Sequence, residues 1–145
     1  MFRERSTSQC TTSYLWTVSW CHTLTGYINT CIAPAFHYVT DTSRNGEIYN
    51  LMIRGADIGG SDGINIWGSN IWVHDVSVTN RDECVCTKSP ASNFLVERVW
   101  CNQSGGSSIG SLTTGTTVAD ITYRNIYTNG VNQMFMSSSN TPFIF

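Results

Sequence analysis

The feature that most constrains the fold is an internal repeat of about 25 residues. Four segments alternate apolar and polar residues and end near Asn or Gly, and such alternation is typical of half-buried β-strands. The segments are EIYNLMIRG from Glu47, IWVHDVSVTN from Ile71, FLVERVWCNQ from Phe94 and ITYRNIYTNG from Ile121. Their aligned positions, 25, 23 and 27 residues apart, are Leu51, Val76, Val99 and Ile126.

Each repeat also contains a second short apolar run. These runs are Ile64 to Ile66, Val85 to Thr87, Ile109 to Ser111 and Phe135 to Met136. Two strands in a period of this length, with Gly, Ser and Asn in the connections and no helical pattern, indicate a β-solenoid. Leucine-rich repeats need a Leu-rich consensus that is absent, and propeller blades need roughly 40 residues each. We therefore predict an all-β, right-handed parallel β-helix over residues 46–136, with the four aligned positions stacked in one sheet.

Composition limits the partners. Only 12% of the 145 residues are charged and the net charge is −2, which argues against nucleic acid and favours a neutral or weakly acidic polymer. No stretch approaches the roughly 18 consecutive apolar residues of a membrane span. The first residues carry charge but no apolar core, so no signal peptide is visible. We expect a monomer that contacts neither nucleic acid nor membrane.

The repeat places polar residues at equivalent corners, just before the second strand of each coil. The corners are Asp62, the pair Asp82 and Glu83, then Gly106 and Ser107, then Asn132 and Gln133. Stacked strands lie about 4.8 Å apart. Three carboxylates should therefore converge on one edge of the solenoid.

Such a carboxylate cluster fits glycosidic bond hydrolysis. That reaction needs one carboxylic acid to protonate the leaving oxygen and a second carboxylate to activate water or attack the sugar. Crowding raises the pKa of at least one acid, because like charges at short range disfavour full ionisation. The alternative reading is structural, since Asp62-Gly63 is a common turn dipeptide and Asp82-Glu83 would also suit a solvated corner.

Longer motifs add a family resemblance from Ala33 to about Asn140. The matching stretches are APAFHYVTDTS from Ala33, GGSDGINIWGSNIWVHDVSVTNRDECV from Gly59 and KSPASNFLVERVWCNQSGG from Lys88. They resemble glycoside hydrolase family 28, the polygalacturonase-like enzymes, and within it the rhamnogalacturonan hydrolases. The resemblance implies a right-handed parallel β-helix that hydrolyses pectin backbones with inversion, without metal or other cofactor.

The resemblance also implies roles for individual residues. Asp82 resembles the proton donor, while Asp62 and Glu83 would hold and activate water. An acidic pair followed by Cys84 matches the rhamnogalacturonan branch, because polygalacturonases carry two aspartates there.

Substrate contacts are also expected around this cluster. Gly106 and Ser107 lie in the corner where polygalacturonases carry a His that the rhamnogalacturonan branch lacks. Lys88 could contact an anionic sugar, although a strand-end lysine is more often solvated. Ser138 stands where relatives have a substrate-binding lysine.

The six cysteines show no zinc spacing, so disulfides and free buried thiols remain open. The resemblance implies a disulfide between Cys84 and Cys101 that braces the acidic corner, with Cys86 competing or free. Cys10, Cys21 and Cys31 support no assignment.

The resemblance further implies secretion into the extracellular space. There, the sequon at Asn102-Gln103-Ser104 would be a glycosylation site.

Residues 1–32 match no recognised pattern, and residues 33–145 are expected to form a partial parallel β-helix glycosidase domain. The leading hypothesis is hydrolysis of rhamnogalacturonan or a related pectic polymer. The first alternative is a truncated, catalytically silent solenoid that binds pectic carbohydrate, which Ser138 favours. The second is a calcium-dependent pectate lyase, which would need a basic residue over the acidic cluster.

Overall fold

The computed structural model describes residues 16–18, 23–25 and 38–137. The described residues form eight strands and no helix, so none of them forms an apolar helix long enough to cross a bilayer. The strands are β1 Trp16–Val18, β2 Thr23–Thr25, β3 Tyr38–Arg54, β4 Ile64–Thr79, β5 Glu83–Asn102, β6 Gly106–Ile109, β7 Val118–Asn129 and β8 Phe135–Ser137.

All strand pairs are parallel, and each long strand pairs with its counterpart one coil later: β3 with β4, β4 with β5 and β5 with β7. In register, Leu51 lies beside Val76, Val76 beside Val99 and Val99 beside Ile126. The predicted parallel β-helix is confirmed, and the four aligned positions stack in one sheet as expected.

Aliphatic side chains on alternate positions point inward and fill the solenoid. Ile48, Val73 and Val96 form one stack, and Ile53 and Val78 belong to another; all five are at most 3% exposed. Phe94 is the largest fully buried side chain of this core. A two-residue period in which branched side chains face inward and polar ones outward gives stacked strands of this kind.

Each long strand is bent twice by a residue in the left-handed region, which lets one continuous strand contribute to more than one face of the coil. The first bend of each coil is at Asn45, Asn70, Asn93 and Asp120, and the second is at Asn50, Asp75, Arg98 and Asn125. Asn and Asp tolerate positive φ better than other non-glycine residues. The bends therefore recur with the sequence repeat.

The pairing differs from the sequence expectation in the third corner. The apolar run from Ile109 was expected to align with the run from Val85, but β6 is Gly106–Ile109 and Ile109 pairs with Thr87. The register shifts between Glu83 and Cys86. Hydrophobic alignment missed this because the first three of the four residues of β6, Gly-Ser-Ser, carry no apolar signal.

Candidate active site

Two successive corners of the solenoid bring the three predicted carboxylates together. Asp62 lies just before β4, and Asp82 and Glu83 lie one coil later at the start of β5. One carboxylate oxygen from each residue lies within 4.8 Å of the other two. The stacking of equivalent corners, expected from the repeat, thus produces a compact acidic cluster.

Asp62 is the most deeply placed member of the cluster, with 3% of its surface exposed. The Asn65 side-chain amide donates a hydrogen bond to Asp62 Oδ2 at 2.9 Å. Burial raises the pKa of Asp62 more than this hydrogen bond lowers it, and the Asp82 carboxylate raises it further. Asp62 thus resists ionisation relative to a solvated aspartate.

Asp82 and Glu83 are neighbours with opposite tendencies. Asp82 shares a hydrogen bond with the Glu83 carboxyl and also accepts hydrogen bonds from the backbone N–H groups of Gly60 and Glu83. Together these hydrogen bonds hold the pKa of Asp82 below its usual range. Burial, the bond to Asp82 and the nearby Asp62 charge raise the pKa of Glu83 to about 8. Within the pair, a proton is therefore favoured on Glu83 rather than on Asp82.

Hydrogen bonds to main-chain carbonyl groups hold the corners of neighbouring coils together. The buried Asn80 amide donates to the carbonyl oxygens of Ser61 at 2.7 Å and Glu83 at 2.8 Å. Gly63 N–H also donates to Glu83 O at 2.8 Å, and Gly105 N–H donates to Asp82 O at 2.8 Å. The carboxylates are thus carried on main chain that is tied from coil to coil.

The cluster opens into a solvent-accessible cleft of about 600 Å³. Arg81 on its rim pairs with Asp57, with Nη1 3.2 Å from Oδ1. The cleft is lined by Asp57, Ile58, Gly59, Arg81, Asp82, Glu83, Gly105, Asn132, Gln133 and Met136. Two of the carboxylates and the last predicted corner, Asn132 and Gln133, therefore face the same space.

The expected substrate contacts lie in different places. Gly106 and Ser107 are buried, and the residue of this corner that lines the cleft is Gly105. A Cβ on Gly106 would lie 1.8 Å from Gln133 O, so this glycine permits close packing of two coils. Lys88 is half-buried, and its charge helps to lower the pKa of Asp82, after the larger effect of the hydrogen bond to Glu83.

Cys84 and Cys101 are joined by a disulfide, with Cα atoms 5.7 Å apart, as the resemblance implies. It links the two ends of β5 beside the acidic corner. Cys86 is a buried free thiol, with Sγ 2.7 Å from Gly110 O. Cys10, Cys21 and Cys31 lie outside the residues whose side chains are described, as does Ser138.

His74, Trp72 and Asn102 do not line the cleft. His74 is buried and stacks with both Tyr49 and Trp72, with ring centroids 5.1 and 3.9 Å away. Trp72 lies on the outer surface, where its indole N–H donates to Glu97, and Asn102 is half-exposed at the end of β5. Of these, only Asn102 belongs to a site that the sequence predicts, the glycosylation sequon.

Sequence reasoning missed Asn80 and Arg81, which flank the predicted pair on its N-terminal side. A signal was present, because an Asn just before an acidic corner is a common residue for bonding nearby backbone. Its partners, Ser61 O and Glu83 O, are set by coil stacking and carry no sequence pattern of their own.

Comparison with known proteins gives consistent matches. The family model for glycosyl hydrolases family 28 matches residues 12–134. Over 108 residues, 74% of this chain, the sequence is 62% identical to rhamnogalacturonase A of Aspergillus aculeatus and 60% identical to that of Aspergillus niger, covering 24% of each. It is 56% identical to rhamnogalacturonase A of Emericella nidulans over the same length, 21% of that protein. The chain spans about a quarter of the length of the first two relatives.

The family match covers most of the chain and includes all three clustered carboxylates and both cysteines of the disulfide. The parallel solenoid and the acidic corner agree with that match. The chain therefore belongs to glycosyl hydrolases family 28.

Proposed function

We propose that this chain contributes the catalytic centre of a hydrolase that cleaves glycosidic bonds in the pectin backbone, in rhamnogalacturonan or a related polygalacturonan. The observation that carries the proposal is the convergence of Asp62, Asp82 and Glu83 within 4.8 Å beside an open cleft. The relatives named rhamnogalacturonase support this choice of substrate. The reaction needs only carboxyl groups and water, without metal or cofactor.

The proton is proposed to come from the Asp82–Glu83 pair. The resemblance assigns the donor to Asp82, whereas burial of Glu83 favours the proton there before substrate binds. Two carboxyls that share a hydrogen bond titrate as one unit, so the proton can pass from Glu83 to Asp82. Asp82 then protonates the leaving oxygen, while Glu83, now ionised, takes a proton from the attacking water. The starting distribution of protons is restored after each turnover.

Water is proposed to lie between Asp62 and Glu83. A water that donates to two carboxylate oxygens at about 2.7 Å each spans about 4.4 Å between them. The observed spacing, within 4.8 Å, fits such a bridge. It is shorter than the roughly 6.5–9.5 Å usual between the carboxyls of inverting enzymes. We nevertheless propose inversion, because the cluster has a third carboxylate and so can hold the water without using the proton donor.

The remaining proposals concern the surroundings of the enzyme. The low charge density suits a polysaccharide partner, and we propose that the protein acts as a secreted monomer. The half-exposed Asn102 would then be glycosylated. We also propose that the buried Gly106 and Ser107 support the substrate-binding surface through their backbone, and that Lys88 supports substrate binding through its charge.

The test is release of reducing ends from saponified rhamnogalacturonan. We expect Asp82→Asn to lower the rate by roughly 10²–10⁴-fold, because the amide cannot deliver a proton. NMR of the first products should show the anomeric configuration opposite to that of the cleaved bond.

The matched control is Asp120→Asn, which removes an exposed carboxylate on β7 and should leave the rate unchanged. Binding of the polymer without reducing-end release by the unsubstituted chain would instead support the silent carbohydrate-binding solenoid. Calcium-dependent release of unsaturated products would support the lyase.

A further inference from the structure

Arg81 carries the cationic group of the cleft. Among the cleft-lining residues of the described chain, Asp57, Asp82 and Glu83 carry carboxyl groups, whereas Arg81 alone carries a positive charge. A polymer built from uronic acids brings further carboxylates into this acidic space. Like charges at short range repel, so such a ligand needs a cation close to the bond that is cleaved.

The guanidinium is accessible to a ligand. The Arg81 side chain is 60% exposed, and its partner Asp57 is 86% exposed. The two are joined by a hydrogen bond of 3.2 Å from Nη1 to Oδ1. Exposed ion pairs of this kind contribute little to stability, so an incoming carboxylate can replace Asp57 at small cost.

The position of Arg81 gives this exchange a functional consequence. Arg81 directly precedes the proposed proton donor Asp82, whose main chain is held by Gly105 and whose carboxylate is held by Gly60. A planar guanidinium binds a carboxylate through two parallel N–H bonds and so fixes both distance and orientation. A sugar carboxylate bound to Arg81 would therefore be held at a fixed position relative to the acidic cluster.

We propose that Arg81 is a specificity-determining residue that binds a uronate carboxylate of the substrate, and that Asp57 occupies it as a stand-in carboxylate until substrate arrives. This inference rests on the proposed function. Asp57 then competes with the ligand for Arg81, whereas a purely structural Asp57 would only hold Arg81 in place.

The experiment measures dissociation constants by calorimetry in the full chain carrying Asp82→Asn, which removes turnover and retains both residues of the ion pair. The probes are oligosaccharides of alternating rhamnose and galacturonate, with free carboxylates or with the carboxyls reduced to primary alcohols. We expect Arg81→Gln to weaken binding of the free acid roughly three- to tenfold and to leave the reduced ligand unchanged. We expect Asp57→Asn to strengthen binding of the free acid.

Matched controls remove the same charges elsewhere. Arg44→Gln and Asp120→Asn change exposed residues outside the cleft lining and should alter binding less than twofold. If Arg81→Gln and Asp57→Asn both weaken the two ligands alike, the ion pair is only a brace and the inference is overturned. If Arg81→Gln behaves like Arg44→Gln while the parent chain binds, the inference fails and the proposed function stands. If the parent binds neither ligand, both fail.

Discussion

At the scale of single residues, the acidic corner depends on close backbone approach as much as on the carboxylates themselves. Gly63 directly follows Asp62, and a Cβ there would lie 2.6 Å from both Cys84 O and Val78 Cγ1. Backbone and a packed core side chain cannot both retreat without moving the corner. The Asp-Gly dipeptide is therefore explained by packing between coils, in addition to any turn preference.

Gly63→Ala should destabilise the protein by about 1–3 kcal/mol, because overpacking displaces neighbouring groups. Since the displaced segment carries Asp62, hydrolysis should fall together with stability. Urea unfolding measures the first effect and reducing-end release the second. Gly59→Ala is the matched control for stability, because its Cβ would lie 3.9 Å from Asp82 Oδ2, an ordinary contact. Equal stability of the two variants would contradict this account.

At the scale of strands, side-chain ladders hold the bends in register. Asn70 Nδ2 donates to Asn45 Oδ1 at 2.8 Å, and Asn93 Nδ2 donates to Asn70 Oδ1 at 2.7 Å. All three residues have positive φ, so one residue type serves both the left-handed backbone and the bond to the next coil. The ladder thus couples the bends of three successive strands.

Asn70→Gly should cost about 1 kcal/mol, because it keeps the backbone conformation but loses both amide hydrogen bonds. Asn70→Ala should cost about 1–2 kcal/mol more, because Ala must also adopt positive φ. Urea unfolding of the two variants separates the contributions. Ser69→Ala, at the neighbouring half-exposed position, should change stability by less than about 0.5 kcal/mol. The ladder would be shown unimportant if Asn70→Gly matched that control.

How far the sequence predicts these elements depends on whether their cause is periodic. Leu51, Val76 and Val99 could be stacked correctly because each coil buries the same position, and the acidic corner followed from that register. The alignment of strand β6 was predicted wrongly because Gly106 and its neighbouring serines carry no apolar signal. The surroundings of Arg81 were beyond prediction, because the partner Asp57 comes from an irregular loop one coil earlier.

At the scale of the whole molecule, a network of ionisable side chains crosses four coils outside the aliphatic core. Glu47 on β3 pairs with His74 on β4 at 3.0 Å, and Arg98 on β5 pairs with the β4 residue Asp75 at 2.9 Å. Glu97 on β5 binds Arg98 and, on β7, Arg124, each at 2.7 Å. His74 also contacts Asp75, which completes the connection. The network links the coils on the outside, whereas the aliphatic stacks link them inside.

This network and the acidic cluster affect stability in opposite pH ranges. The Arg98 guanidinium holds the pKa of Asp75 well below its usual range, and the Arg124 guanidinium lowers the pKa of Glu97. Groups with lowered pKa stabilise the fold fully above their unfolded values, near pH 4 to 4.5, and lose that contribution as the pH falls further. The network therefore makes stability decline as the pH falls below about 4 to 4.5, and this decline is the acidic limb of the curve of stability against pH.

Glu83 has the opposite sign, because burial raises its pKa from 4.5 to about 8. Its folded form binds the proton more tightly than its unfolded form, so its contribution is complete below about pH 4.5 and declines until about pH 8. Asp62 is shifted in the same direction by burial.

We therefore expect maximum stability near pH 5, measured as the urea midpoint between about pH 3 and 9. Glu83→Gln should flatten the decline above pH 5 and leave the acidic limb intact, whereas Asp75→Asn should reduce only the acidic limb. A maximum above pH 7 that Glu83→Gln leaves in place would show that the proton of the pair does not reside on Glu83.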